Sequence, residues 1–137
     1  PQQSGEIGVS MSWVQSWSQL SVWYQEYSSD PSYSWAGFFA DFLITIGHRE
    51  AAKGLYVHRW ATTAVVSRFG KHPDWAVGAR MELLPLHGER LEVKVYGLYN
   101  QEIHQVILSP PLDPTGLDDW LGFVAGERRT LPAEREQ

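Results

Sequence analysis

Apolar and polar positions alternate with a period of two at Ile7, Val9, Met11 and Trp13, and again at Leu20, Val22 and Tyr24. That period marks half-buried strands, so 6–14 and 19–27 read as a hairpin around Ser16-Trp17-Ser18. The same stretch holds a second pattern. Trp13, Trp17, Leu20, Tyr24 and Tyr27 follow one another at spacings of 4, 3, 4 and 3, one stripe of an amphipathic helix. Val, Trp and Tyr favour strands, which inclines the reading to the hairpin and leaves the helix as the alternative.

Ser28–Ser32, with Asp30-Pro31 at its centre, is a turn. Phe38–Ile46 then reads as a buried strand with Phe38, Ala40, Phe42, Ile44 and Ile46 on one face, followed by a charged turn or short helical excursion over Gly47–Gly54. Leu55–Trp60 and Thr62–Phe69 are β-branched and aromatic, two strands or one long bent strand, and Gly70–Asp74 is a second turn. Trp75–Leu84, Leu91–Tyr99 and Glu102–Leu108 alternate across short connections, the pattern of a three-stranded antiparallel meander. Three prolines in Ser109–Gly116 end the sheet. Thr115 is placed to cap a short helix through Leu117, Trp120, Leu121 and Val124, with Asp118 and Asp119 in its first turn.

These elements predict a mainly β domain over residues 1–126. It would be an antiparallel barrel or strongly curved sheet of seven or eight strands with a short C-terminal helix, and a charged tail fraying over 127–137. If 13–27 is helical, the domain is instead α+β, with an N-terminal helix packed on a curved antiparallel sheet. The length of 137 residues suits one domain and needs no disulfide or metal to complete its core.

Composition narrows the chemistry. The absence of Cys excludes disulfides, thiolate metal sites and cysteine nucleophiles. No Gly-x-Ser-x-Gly elbow and no glycine-rich phosphate loop occurs, so nothing names a nucleophilic or phosphoryl-transfer reaction. The first residues lack a basic stretch leading into an apolar one, which inclines the reading to a cytoplasmic protein. The apolar runs are too short or too polar to span a membrane. His48, Arg49, Glu50 and His58 resemble a scattered ligand set without the tight spacing of a metal motif, so neither metal nor cofactor is expected.

Charge and aromatic content point to contact with another molecule. Residues 1–47 carry a net −4, residues 48–80 a net +4 and residues 81–137 a net −5. The basic middle can answer an acidic partner or pair with its own flanks. Seven Trp, six Tyr and five Phe are more rings than one interior normally hides, and exposed indoles anchor interfaces. The leading expectation is therefore a non-catalytic assembly module, acting on itself or on a protein partner through Trp17, Trp60, Trp75, Tyr56, Arg59, Arg68 and Lys71. Two alternatives stand beside it. Asp41, inside the longest apolar run, would have its pKa raised by desolvation and could act as an acid or base in a small enzyme or an aromatic-lined, ligand-binding barrel. The basic segment 48–80 with its aromatics could bind single-stranded nucleic acid, although the chain as a whole is acidic.

Overall fold

A computed structural model describes residues 12–70 and 78–126. The order of elements is helix α1 (Trp13–Tyr27), a 3-10 turn (Pro31–Ala36), helix α2 (Gly37–Gly47), strands β1 (Tyr56–Trp60), β2 (Thr63–Ser67), β3 (Arg80–Leu86), β4 (Arg90–Tyr96) and β5 (Glu102–Leu108), and helix α3 (Asp118–Val124). The strands form one antiparallel meander in the order β1-β2-β3-β4-β5, open at both edges. The architecture is α+β, as the helical alternative for 13–27 requires; among the described residues the sheet has five strands, not seven or eight, and does not close into a barrel.

The hairpin expected over 19–27 is helix α1. Side-chain chemistry decides between the two periods. Ser12 accepts from the Gln15 amide at 3.2 Å while the Gln15 side chain accepts from the Ser12 amide at 3.1 Å, a reciprocal cap that starts the helix. Trp17, Leu20 and Tyr24 then share its buried stripe. The first part of the expected hairpin, 6–11, lies outside the described residues, as do Lys71, Trp75 and the tail 127–137.

Phe38–Ile46 is helix rather than strand. A continuous apolar run has no period of its own, and its length suits three turns. Phe39, Ala40, Phe42, Leu43 and Ile46 face the core, the 3-4-7 pattern of a helix, while Asp41 and Ile44 face outward.

The strands expected after residue 55 are present with shifted ends. Ala61, at a φ of 56°, turns the chain between β1 and β2, so 55–69 is a hairpin and not one bent strand. Alternation places Val57, Ala64, Val66, Met81, Leu83, Leu91, Val93 and Val95 in the core beneath the helices. The opposite face is mixed, with Val65 buried on it and Ile107 exposed. There the nearly buried Arg80 donates to Glu82 and to Asn100, each at 2.8 Å, and lies 4.1 Å from the Tyr96 ring. The bond to Asn100 holds the β4–β5 turn, where Tyr99 and Asn100 both take left-handed φ angles. α3 begins as expected, but the cap preceding it is Asp113, whose Oδ1 accepts from both the amide and the hydroxyl of Thr115.

α1 lies along the free edge of β1 and supplies the partners that β1 lacks. Ser16 Oγ accepts from the Val57 amide at 3.0 Å, Trp17 Nε1 donates to the Leu55 carbonyl at 2.9 Å, and the Tyr24 hydroxyl donates to the Thr62 carbonyl. The buried Ser16 also donates to the Trp13 carbonyl at 2.7 Å, which fixes its rotamer. Ser16→Ala strands a buried amide and should cost about 1–3 kcal/mol. A urea titration checks this, with the midpoint expected to fall at an unchanged slope.

Candidate functional site

Six tryptophans are described, and Trp17 is the only one of them that is buried. This reverses the exposure expected for it at a hairpin tip: on α1 its indole is turned inward and its N–H is committed to Leu55. Trp60, at the end of β1, is 63% exposed. Trp13, Trp23, Trp35 and Trp120 are half-buried. The aromatic excess does reach the surface, at Trp60 as expected and in part at Trp13, Trp23, Trp35 and Trp120, which the sequence did not single out.

A concave feature of about 230 Å³ opens where the first turns of α1 meet the end of α2. Trp13, Val14 and Trp17 come from α1, Ile44 and Gly47 from α2, and His48, Arg49, Glu50 and Lys53 from the loop that follows. Helical geometry gathers the first group, since 13, 14 and 17 lie within one turn and Ile44 is on the outward side of α2. Val14 and Ile44 are 58% and 39% exposed, apolar side chains left at a pocket mouth. Gly47 is there for steric reasons. A Cβ on it would stand 2.9 Å from Cγ of Trp17, so the indole lies directly against the helix backbone.

The rim comes from the basic segment. Arg49 is fixed by a two-pronged pair with Asp118 of α3, with both N–O distances at 2.8 Å. This bond holds the Asp118 carboxyl below its ordinary value of 3.8, and the hydroxyl and amide of Thr115 do the same for Asp113. Lys53 is held loosely, 3.6 Å from Glu50 with both side chains largely in water. Such a surface pair contributes little and exchanges readily for another carboxylate.

The remaining expected residues do not converge. Tyr56, Arg59 and Trp60 are strung along β1, with Tyr56 near-parallel to His58 and Arg59 4.3 Å from the Trp23 ring. Arg68 follows β2, 5.3 Å from the Phe69 ring. Arg59, Trp23, Tyr27 and Tyr33 instead form a surface stack, with ring centroids 5.0 Å and 4.4 Å apart along its aromatic part. The basic middle is thus divided among several contacts, one of them with the acidic C-terminal part of the chain.

Asp41 is exposed on α2, where Thr45 Oγ1 donates to its backbone carbonyl at 3.1 Å. It stands on the outward side of the helix and not among the apolar side chains of the run that holds it. Among the described residues no three His, Asp or Glu side chains gather as a metal set, and His58 Nε2 lies 3.1 Å from the Phe69 carbonyl. No described helix is long and apolar enough to cross a membrane. Of the lining residues, Val14 and Ile44 carried a legible signal, since each falls off the inward stripe when 13–27 and 37–47 are both written as helices. Comparison with protein-family models, with curated proteins and with solved structures finds no match to this chain.

The depressed Asp118 and Asp113 carboxyls contribute stability that is complete above the ordinary carboxylate value and is lost as pH falls through the depressed one. Thermal unfolding followed from about pH 6 to about pH 2 should therefore show a falling acid limb. Asp118→Asn should lower Tm at neutral pH and flatten that limb.

Proposed function

We propose that this chain is a non-catalytic binding module whose recognition site is the α1–α2 pocket, and that its partner is an acidic protein segment. An apolar side chain of the partner enters between Trp13, Val14 and Ile44, and carboxylates beside it meet Lys53 and His48 at the rim. One observation carries this reading: exposed apolar side chains from two helices share a concave site with the basic loop 48–53. Its volume, about 230 Å³, lies below the ~300–1,000 Å³ usual for small-molecule sites and suits a single anchoring side chain. Interface anchors of this kind hold most of the binding energy in a few central contacts, with charges at the rim setting rate and selectivity.

The loose Lys53–Glu50 pair supports the charge preference. Its ammonium can move from Glu50 to a partner carboxylate at little cost, whereas Arg49 stays on Asp118 and keeps the loop in place. The floor is preorganised too, because Trp17 is buried and hydrogen-bonded before any partner arrives.

Peptides bearing one Trp, Phe or Leu between Asp and Glu residues test this, with the same cores between Lys residues as controls. Titration calorimetry should show binding of the acidic set that weakens with salt. Ile44→Glu should abolish it. Lys53→Glu should weaken it at least about fivefold and reduce the preference for acidic flanks. Equal binding of acidic and basic sets, or unchanged binding by Ile44→Glu, would overturn the proposal.

A further inference from the structure

The two edges of the sheet are treated differently. At β1 the outer backbone groups meet Ser16 and Trp17 of α1. At β5 no described residue hydrogen-bonds the outer edge. A strand left open in this way is a template for another strand unless charge, proline or a bulge blunts it. Ile103–Leu108 contains no Pro, Gly, Lys, Arg, Asp or Glu, and the register shift opposite Tyr96 lies at the start of the strand. Ile107 is 48% exposed and Gln105 is exposed beside it.

We propose that β5 is a homodimerisation edge, pairing antiparallel with β5 of a second copy across a two-fold axis at Gln105 to make one continuous ten-stranded sheet. This surface is separate from the α1–α2 pocket, and the inference goes beyond the reading given for that site.

A second copy is favoured by the pattern of the strand itself. The register that pairs all seven residues sets Ile103 against Ile107 of the other copy, His104 against Val106, and Gln105 against its own equivalent. Ile103 and Ile107 meet twice, once on each side of the axis, and the contact is the same for both copies, as a two-fold requires. Charge permits it as well. Glu102, the only charged residue of the strand, faces Leu108 and stands roughly 20 Å along the strand from the other Glu102. That exceeds the screening length of about 8–10 Å at ordinary salt, so the net charge of −5 does not concentrate at the seam. The Gln105 side chain donates to Glu92 of the neighbouring strand at 2.8 Å, which draws it toward β4 and leaves the strand edge for main-chain pairing.

Sedimentation of the full chain from about 1 μM to about 1 mM tests this, with a reversible monomer–dimer equilibrium expected. Gln105→Lys keeps an intrachain partner in Glu92 and sets two ammonium groups face to face. Ile107→Lys charges an already exposed position. Each should raise the dimer dissociation constant at least about fivefold with unchanged circular dichroism. Because the chain has no Cys, Gln105→Cys reports on one site only. Its Cα atoms would lie ~4.5–5.5 Å apart across the axis, within disulfide reach, so mild oxidation should cross-link it. Asp41→Cys on α2 should stay uncross-linked. A monomer throughout, a dimer indifferent to both lysine substitutions, or a Gln105→Cys chain that forms no cross-link would each overturn the proposal.

Discussion

A β-strand buried at the edge of a sheet must find partners for its outward amides and carbonyls, and in this protein one helix supplies them. The position of α1 follows from that requirement. Ser16 and Trp17 engage β1 itself, Tyr24 reaches the carbonyl just beyond it, and the ring of Trp23 meets Arg59. Each unsatisfied main-chain group in such a place would cost on the order of 1–3 kcal/mol, so the helix is held in register along the strand and not merely pressed against it. Everything that gathers at the start of α1, including the pocket, inherits that register. Burial drives the Tyr24 phenol well above its ordinary pKa, so its hydroxyl remains a donor throughout the working range.

The aromatic residues divide by task. Tyr24 and Phe39 form an edge-to-face pair inside the core, with centroids 4.7 Å apart. Trp23, Tyr27 and Tyr33 stack over the surface, spending their faces on one another and leaving their edges to solvent. Trp35 does the same with His87 at 4.2 Å. An excess of rings is therefore compatible with a large amount of internal stacking, while Trp13 stands beside a hollow that the exposed Val14 and Ile44 also line.

Much of the sheet was legible in the sequence because antiparallel strands with one buried face repeat every second residue. β3, β4 and β5 alternate cleanly, and the short turns between them dictate neighbours. The helices were obscured for two different reasons. Over 13–27 both periods coexist, and Ser12 with Gln15, a local cap, outweighs the strand preference of Val, Trp and Tyr. Over 37–47 the residues are apolar nearly all round, and the one polar interruption, Asp41, marks the solvent side of a helix as readily as a buried carboxylate in a strand. That ambiguity carried the site away with it: Trp13, Trp17 and Ile44 meet only if both segments are helical, and Trp17 turns inward only then. The charge asymmetry was legible in its sign but not in its partner, since the Arg49–Asp118 pair joins residues sixty-nine apart in the chain.

The missing side chain at Gly47 sets the approach of α1 to α2. With a hydrogen there, the Trp17 indole settles directly against the helix; one added carbon would stand 2.9 Å from the ring, too close without a shift of one or the other. Chains otherwise alike but bearing alanine at this place would have to move the ring, the helix or both, so a single hydrogen lets the two helices meet as closely as they do.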